Sequence, residues 1–340
     1  MKTRRYETPV APARQTPPEV PEVAPPAPAK VQQIEAGERG AGQRLDNFLG
    51  RILKDVPKTH IFRVIRKGEV RVNGKRAKPD QRLLANDIVR VPPVRTGAAA
   101  PPRKASPAML ETLSGAIIYE DPRLLVINKP AGVAVHGGSG VSFGVIEALR
   151  AARPDETLEL VHRIDRDTSG LLLIARKPAA LRTLHALMRD GKVEKRYLAL
   201  VKGKWELGQK RINVPLRTDI RVGGERTVKA HESGKEAVSV FKPVQFFGKR
   251  ATLVEVSLET GRTHQIRVHA AHAGYPLAGD EKYGEAEFNE KMKESGLKRM
   301  FLHAHHLSFV WPETGVEFSA SAPLPAELAA VIDAMGDRKR

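Results

Sequence analysis

The spacing of apolar residues predicts a small N-terminal domain made of helices and a sheet. Two short stretches between Arg44 and Gly68 repeat their apolar residues at helical spacing, so each covers one face of a helix. An alternating segment, the turn-forming pair Asn73-Gly74 and a closing apolar segment then predict antiparallel strands. Residues 36–95 are therefore predicted to form a compact domain of two helices packed on a small sheet.

The remainder of the chain, residues 111–336, mixes strands and helices without regular alternation. A helix is predicted at Pro178–Asp190, because leucines at helical spacing follow a proline and Gly191 stops the pattern. Apolar runs predict strands at Leu124–Ile127, Leu171–Ala175, Tyr197–Val201 and Thr252–Leu258. Regular helices do not separate these strands, which disfavours a doubly wound parallel sheet. The predicted class is α+β with a mixed, mainly antiparallel sheet.

Proline and small residues mark the segments outside these two domains. Eight of the 25 prolines fall within residues 9–28. Such a segment buries too little apolar surface to offset the entropy lost on ordering, so residues 1–35 are predicted to be a disordered leader. Residues 96–110 are rich in Gly, Ala and Pro and are predicted to be a linker.

Composition and charge narrow the classes of function. The 340 residues include 57 Lys and Arg against 39 Asp and Glu, a net charge of +18, which indicates an anionic partner such as nucleic acid. The chain has no cysteine, which excludes disulfides, thiol nucleophiles and cysteine-based metal sites. No apolar run is long enough to cross a membrane, and the first residues contain no apolar signal segment. We therefore expect a cytoplasmic protein with no membrane partner.

Much of the positive charge lies in the small N-terminal domain. Residues 42–93 carry 13 Lys and Arg against 5 Asp and Glu. Basic helices on a small sheet suit binding to a phosphate backbone, although a structural subdomain with a solvated basic face is the alternative. The candidate phosphate-binding residues of this domain are Arg44, Lys58, Arg63, Arg66, Lys67, Arg71 and Lys75.

The densest group of polar residues stands directly before the apolar strand at 171–175. There Asp165 is flanked by Arg163 and Arg166. Neighbouring positive charge favours the ionised carboxylate, and a restrained carboxylate can act as a nucleophile or a base. A structural ion pair at the entry of the strand is equally consistent with this pattern.

A second group of polar residues lies within residues 259–284. Thr263 is predicted to cap a helix that begins at His264. Arg262 and Arg267 then fall near the first turn of that helix, where the helix dipole favours anions. Two arginines at that end are unfavourable unless a carboxylate or phosphate faces them, so this segment is a candidate site.

Other chemistries find less support in the sequence. Ser169 lacks the G-x-S-x-G elbow of serine hydrolases, and Asp165 with Asp167 has no third carboxylate motif to complete a magnesium site. Glycine-rich phosphate loops are absent. Several histidines could suggest a metal, but their spacing does not match H-E-x-x-H: His264, His269, His272, His303, His305 and His306.

Residues 162–177, HRIDRDTSGLLLIARK, resemble the HRLDxxTSG signature of the RluA-type pseudouridine synthases, with Ile164 in place of the usual leucine. Residues 36–95 resemble the alpha-L RNA-binding motif that many of these enzymes carry. The combination is similar to bacterial members of the family that modify large-subunit ribosomal RNA. Further segments agree with the family in the same order along the chain, namely 120–138, 194–203, 260–284 and 299–309.

The resemblance implies an enzyme that isomerises uridine to pseudouridine in ribosomal RNA of the large subunit without a cofactor or metal. It assigns Asp165 as the catalytic aspartate and Arg267 as the arginine that pairs with it. Tyr197 matches the tyrosine that stacks on the target base, with a possible part in proton removal. Arg163 matches the residue that fills the space left by the extruded nucleotide. The alternative is a non-catalytic RNA-binding or assembly protein that retains the fold, although the presence of these residues argues against it.

Overall fold

The structure is a computed structural model that describes residues 31–53, 56, 58–93, 106–137, 143–220 and 226–336. The chain divides into two compact units, Met1–Pro102 and Arg103–Arg340. Most of the predicted leader and most of the predicted linker lie outside the described residues.

The described part of the N-terminal unit packs two longer helices against a four-stranded antiparallel sheet, as the sequence predicts. The strand order is β1-β4-β2-β3. Its elements are β1 Gln32–Glu35, α1 Gly37–Gly40, α2 Leu45–Ile52, α3 Lys58–Lys67, β2 Arg71–Val72, β3 Lys75–Arg76 and β4 Ile88–Val91. Its core consists of the apolar faces of α2 and α3 and the inward residues of the sheet, including Leu45, Phe48, Leu49, Ile61, Ile65 and Val89.

The predicted turn at Asn73-Gly74 connects β2 and β3. Asn73 has φ 49° and Gly74 has φ 75°, the two positive φ angles that a type I′ hairpin turn requires. The Asn73 side chain also donates to Asp87 at 2.7 Å and accepts from the Ile88 backbone N–H at 2.8 Å. The Asn73 side chain therefore anchors the β2–β3 hairpin to the neighbouring strand β4 and the residue before it.

Two predicted boundaries are corrected by the structure. Strand β1 occupies residues 32–35, inside the predicted leader of residues 1–35, and pairs antiparallel with β4. It gave no hydrophobic signal because it is an edge strand and only Ile34 is partly buried. A helix likewise starts at Pro107, inside the predicted linker, where the Ser106 hydroxyl accepts the Met109 backbone N–H at 3.2 Å.

The C-terminal unit is built around a ten-stranded sheet with helices on both sides, counted over the described residues. The elements of its first half are α4 Pro107–Gly115, β5 Ile117–Glu120, β6 Leu124–Lys129, α5 Val145–Ala152, β7 Glu159–Leu160, β8 Ser169–Ala175, α6 Pro178–Arg189 and β9 Glu194–Lys202. Those that follow are β10 Lys210–Asn213, β11 Leu216–Ile220, β12 Arg226–Ala230, β13 Val238–Phe247, β14 Ala251–Leu258, α7 Gln265–His272, α8 Ala286–Lys293, β15 Leu302–Val310, β16 Glu317–Ser321 and α9 Ala326–Gly336.

The sheet has the order β10-β13-β14-β9-β15-β8-β6-β5, with β7 added beside β8 and β16 beside β15. Strands β11 and β12 form a separate hairpin. Among the strand pairs that the described residues form in this sheet, only β8 and β15 run parallel, so the predicted mixed, mainly antiparallel α+β fold is confirmed. The predicted strands and the predicted helix of this unit are each found within a few residues of their expected limits.

The parallel pair β8–β15 is short and depends on a glycine. His303 pairs with Ser169 and Ala304 pairs with Gly170. Gly170 has φ +109°, and a Cβ atom there would lie 2.2 Å from the Ala304 carbonyl oxygen. Only glycine fits this close approach. Because the loop carrying Asp165 leads directly into β8, this junction sets the position of the loop.

The hydrophobic core lies on both faces of the sheet. One cluster joins the sheet to α4, α5 and α7, and it includes Tyr197 near the site described below. A second cluster covers the opposite face beneath α6 and contains Trp311. A third cluster packs α8 and α9 against the far part of β9, β13 and β14. The sheet is therefore a rigid support for the loops at its edge.

Candidate active site

Two adjoining clefts in the C-terminal unit meet at Asp165. The first has a volume of about 660 Å³ and is also lined by Tyr197 and Lys195. The second has a volume of about 800 Å³ and is also lined by Lys298 and Arg299. The residues that border both clefts are Arg163, Ile164, Asp165, His264 and Arg267. The catalytic candidates of the sequence analysis are thus brought together at one place.

The buried side chain of Lys129 holds the loop that carries Asp165 in place. This lysine is fully buried at the end of β6, and its ammonium donates to the carbonyls of Pro130, Val133 and Arg166 at 2.8, 2.8 and 2.9 Å. Burial lowers the pKa of Lys129 to about 7, against the opposing charges of Asp167 and Asp165. Lys129 was not predicted as a site residue, although a lysine at the end of a strand that begins with four apolar residues was a usable signal.

Asp165 faces two groups from the other half of the sheet. Its Oδ2 lies 3.5 Å from Nη1 of Arg267 and 3.9 Å from Nε2 of His264. The predicted pairing of Asp165 with Arg267 is therefore present, across 102 positions of sequence. Both distances exceed the usual hydrogen-bond length, which leaves room for the carboxylate to move toward a ligand.

Arg267 is fixed by a second carboxylate, Asp280. Its Nε and Nη2 donate to the two oxygens of Asp280 at 2.7 and 2.8 Å, and its guanidinium lies 4.9 Å from the centre of the Tyr283 ring. Asp280 also accepts the backbone N–H groups of Lys282 and Tyr283. Burial raises the pKa of Asp280, but Arg267 and these N–H groups outweigh it, and the net shift is downward. Asp280 is a site residue that the sequence analysis did not identify.

The helix that carries Arg267 begins differently from the prediction. Helix α7 starts at Gln265, and its N-cap is His264 with a left-handed φ of 54°, so the expected cap at Thr263 is wrong. The reason is that Gln265 satisfies the preceding turn: its Oε1 accepts the Thr260 hydroxyl at 2.7 Å and the Arg262 backbone N–H at 2.9 Å.

His264 is held on its other side by Tyr283. The imidazole Nδ1 lies 2.8 Å from the Tyr283 hydroxyl oxygen, which also accepts the Val228 backbone N–H at 3.0 Å. Burial lowers the pKa of His264, with further lowering from Arg267 and an opposing effect from Asp165. The strained backbone at this residue is typical of a functional site.

Tyr197 lies on β9 in the wall of the first cleft and is 7% exposed. Burial raises the pKa of its phenol far above its ordinary value, and the charge of Asp165 adds to this effect. The hydroxyl is therefore protonated in the free protein, and the ring presents a flat apolar surface beside Asp165.

The sequence suggested that the flanking Arg163 and Arg166 keep Asp165 ionised, but the structure directs these two side chains elsewhere. Arg166 pairs with Asp167, with Nε 3.1 Å from Oδ1, and both side chains are well exposed. Arg163 is exposed and borders both clefts. In the described part of the chain, the ion pairs of Asp165 are with Arg267 and His264.

Ser169 and the nearby histidines serve the fold. The Ser169 hydroxyl lies 2.9 Å from Nδ1 of His303 and accepts from Arg299 at 3.0 Å, all in the buried junction of β8 and β15. Burial lowers the pKa of His303 to about 4. His162 accepts the Leu173 backbone N–H at 3.0 Å, and burial lowers its pKa to about 3. Both histidines are therefore neutral at pH 7.

Nothing in the described part of the chain groups three or more His, Asp or Glu residues as a metal site would require. His269, one of the histidines considered above, is buried and bonded to the Ser239 hydroxyl and the Val214 carbonyl, both at 3.0 Å. Within the described ranges, no helix is long and apolar enough to cross a membrane.

The candidate phosphate-binding residues of the N-terminal unit lie mostly on one helix and the hairpin that follows it. Arg63, Arg66 and Lys67 are exposed on α3, opposite its buried face. The hairpin is attached to α3, because Arg76 donates to the Arg66 carbonyl at 3.1 Å. The other candidates are Arg44, which pairs with Asp46 at 2.6 Å, Lys58 at the start of α3, and Arg71 and Lys75, which are exposed on the hairpin.

Comparisons with known proteins agree with this fold. A family model described as RNA pseudouridylate synthase matches residues 123–272, and an S4 domain model matches residues 43–89. The chain belongs to the RNA pseudouridine synthase family, and the resemblance seen in its sequence is confirmed.

Among its relatives is the ribosomal large subunit pseudouridine synthase C of Pasteurella multocida, 50% identical over 311 residues, which cover 91% of this chain and 95% of that protein. The protein of the same name from Escherichia coli K12 is 51% identical over 300 residues, 87% of this chain and 93% of that protein. The solved structure of human RNA pseudouridylate synthase domain containing 1 is 27% identical, with a TM-score of 0.54 over 67% of this chain and 90% of that one.

Proposed function

We propose that this protein isomerises specific uridines of large-subunit ribosomal RNA to pseudouridine, with Asp165 as the catalytic carboxylate and no cofactor. The observation that carries the proposal is the placement of Asp165 between two clefts, 3.5 Å from an arginine that is itself fixed by Asp280. The names of the relatives support the choice of RNA, and they share about half of their residues with this chain over nine-tenths of its length.

The reaction rearranges bonds within one nucleotide. The bond from N1 of uracil to C1′ of ribose breaks, the base rotates, and a bond from C5 to C1′ forms. The proton on C5 is lost and N1 gains a proton, so the composition of the nucleotide is unchanged. No electrons are exchanged with another molecule, and a carboxylate with groups for proton transfer is sufficient chemistry.

The geometry gives each residue a distinct role. Asp165 acts on the ribose, and Arg267 lies beside it where the charge of the carboxylate changes during the reaction. Tyr197 stacks on the target base, which is worth about 1–3 kcal/mol and repays part of the cost of taking the base out of its stack. The Tyr197 hydroxyl assists removal of the C5 proton. Arg163, exposed at the border of both clefts, enters the space that the extruded nucleotide leaves.

The N-terminal S4 domain contributes affinity for RNA through phosphate contacts of its exposed arginines and lysines. We place the reaction in the cytoplasm, because the relatives named above come from bacteria, whose ribosomes are cytoplasmic. The first cleft, at about 660 Å³, lies within the range of sites that enclose a small molecule, so it is large enough for one nucleotide.

The test is release of tritium from large-subunit ribosomal RNA labelled at C5 of uridine. The wild-type protein is expected to release tritium, and Asp165→Asn is expected to release none while binding the RNA almost as well. Asp167→Asn is the matched control, because this neighbouring carboxylate pairs with Arg166 and not with Arg267. Turnover by Asp165→Asn would refute the assigned role. A wild-type protein that binds RNA without turnover would favour the non-catalytic alternative.

A further inference from the structure

The first cleft contains a lysine whose charge has no counterpart among the residues that the structure describes. Lys195 lies on β9 two residues before Tyr197, and alternate residues of a strand share a face, so both side chains point to the same side. Lys195 lines the cleft, is partly buried, and its ammonium lies 4.0 Å from the position that a Cβ of Gly261 would occupy. Gly261 is itself part of the cleft wall.

The carboxylates around Lys195 are paired with other groups. Glu194, its neighbour on the strand, accepts from Arg196 at 2.6 Å, and Glu259 on the cleft wall pairs with Arg211 at 2.8 Å. Asp165 faces Arg267 and His264. Over the residues that the structure describes, Lys195 makes no ion pair or hydrogen bond. Burial lowers the pKa of Lys195, as expected for an ammonium that has lost water and gained no anion.

A second unpartnered group lies in the same cleft. The hydroxyl of Thr168 is buried, has no hydrogen-bond partner among the described residues, and belongs to a side chain that is only 2% exposed. Arg189 and Arg262 also line this cleft, although Nε of Arg262 donates to the Glu236 carbonyl at 2.8 Å. Buried polar groups are normally satisfied, so a cleft in which Lys195 and Thr168 both lack an acceptor among the described residues suits a ligand with several acceptor oxygens.

We propose that Lys195 and Thr168 bind a backbone phosphate next to the target uridine, an inference that rests on the proposed function. A phosphodiester supplies both the negative charge that Lys195 lacks and the acceptor oxygens that Thr168 lacks. Lys195 and Tyr197 are about 7 Å apart along the strand, which lies within the span of one nucleotide. The stacked base and its flanking phosphate would therefore be held by the same face of β9.

The test combines Lys195→Gln with RNA in which single phosphates are made neutral. A short RNA around a modified uridine is synthesised with one methylphosphonate at each linkage near that uridine in turn. Both kcat/KM by tritium release and Kd are measured for each pair of protein and RNA. On unmodified RNA, Lys195→Gln is expected to lower kcat/KM roughly 10- to 100-fold, the loss of one charged hydrogen bond. Lys195→Arg is expected to recover most of that loss.

The decisive result is a coupling at one linkage. At the phosphate that Lys195 contacts, a methylphosphonate should lower the kcat/KM of the wild-type protein by the same factor as Lys195→Gln does on unmodified RNA. The same methylphosphonate should cause no further loss in Lys195→Gln. Lys192→Gln is the control, because Lys192 is exposed, precedes Lys195 by three residues and lines neither cleft. It should behave as wild type on every RNA. Two results would overturn the proposal. One is that the effects of Lys195→Gln and of the methylphosphonate multiply at every linkage, and the other is that Lys195→Gln has the wild-type kcat/KM on unmodified RNA.

Two further measurements keep the outcome clear. If Lys195→Gln does not fold, Lys195→Met takes its place. The wild-type protein is measured on the methylphosphonate series in either case. The coupling in Kd needs no turnover, so it tests the phosphate site even if the wild-type protein releases no tritium, a result that would instead refute the proposed function. A wild-type protein that turns over without any coupling would refute the phosphate site alone.

Discussion

Arg267 gives its two shorter hydrogen bonds to Asp280, at 2.7 and 2.8 Å, and reaches Asp165 only with its remaining nitrogen at 3.5 Å. Its orientation is therefore set by a buried carboxylate that does not line the first cleft. Asp165, in contrast, is restrained by longer contacts. This arrangement keeps a fixed positive charge beside a carboxylate that can still move toward a ligand in the clefts, as electrostatic preorganisation requires.

Asp280→Asn should destabilise the protein and reduce turnover. The Asp280 side chain is 1% exposed and that of Arg267 is 10% exposed, so the variant leaves a buried guanidinium without its main counter-charge. Breaking a buried pair in this way costs about 3–5 kcal/mol. The free energy of unfolding can be measured from the fluorescence of Trp205 and Trp311. Glu287→Gln is the control, since its pair with Lys291 is exposed, and it should unfold like wild type. Unchanged stability of Asp280→Asn would contradict the argument.

Substitutions of Tyr197 should separate stacking from proton transfer. Tyr197→Phe keeps the ring, so RNA should bind within about twofold of wild type, whereas turnover should fall by about 10²-fold if the hydroxyl assists proton transfer. Tyr197→Ala should also weaken binding, by the 1–3 kcal/mol or so that one stacked base contributes. Tritium release and Kd measure the two effects. Full activity of Tyr197→Phe would restrict Tyr197 to stacking.

Neutralising the exposed face of α3 should change the salt dependence of RNA binding. Replacing Arg63, Arg66 and Lys67 by Gln removes up to three phosphate contacts, each worth about 0.7–0.9 in the slope of log K against log salt concentration. A shallower slope by about 2–3 is therefore expected from filter binding at several salt concentrations. The pair Lys291→Gln and Lys293→Gln on α8 should leave the slope unchanged. An unaltered slope in the triple variant would mean that α3 does not contact RNA.

Acid should destabilise the C-terminal unit through its buried histidines. The pKa of His162 is lowered to about 3 and that of His303 to about 4, while in the unfolded chain histidine titrates near 6.5. Between these values the unfolded state binds more protons, so stability is complete above pH 6.5 and is lost as the pH falls below it. Each histidine should cost about 2 kcal/mol at pH 5.

His303→Gln tests that assignment. The variant removes one titrating group, so the decrease in its free energy of unfolding from pH 7.5 to pH 5 should be smaller than in wild type, whatever its stability at pH 7.5. Denaturant titrations at the two pH values, followed by tryptophan fluorescence, measure this difference. An equal decrease in both proteins would show that another group is responsible.

The sequence predicted most of the fold because most elements bury one face. The helix Pro178–Arg189 and the strands at 171–175 and 252–258 have apolar residues at the right period. Strand β1 and the hairpin of β11 and β12 were not predicted, since their residues are largely polar. The place of β1 also depends on pairing with the distant strand β4. In the C-terminal unit, the spacing of apolar residues did not predict which strands are neighbours.

The site was predictable only in part for the same reason. Residue types and positions pointed to Asp165 and Arg267, but their pairing followed from the resemblance to a family and not from the pattern. The roles of Asp280 and Lys129 depend on chain turns that bring them against the site after folding. Thr263 was expected to cap a helix on local preference, and a side-chain contact of Gln265 with the preceding turn overrode it.

The single parallel contact between β8 and β15 has a consequence for biosynthesis. Strand β15 is among the last strands of the chain, yet it lies in the middle of the sheet, between β9 and β8. Asp165 precedes β8 on one side of this insertion, and Arg267 follows β14 on the other. A nascent chain that has not yet released residues 302–310 from the ribosome cannot close the sheet. Asp165 and Arg267 can therefore be brought together only after residues 302–310 have been made, and a product truncated before them would lack this contact.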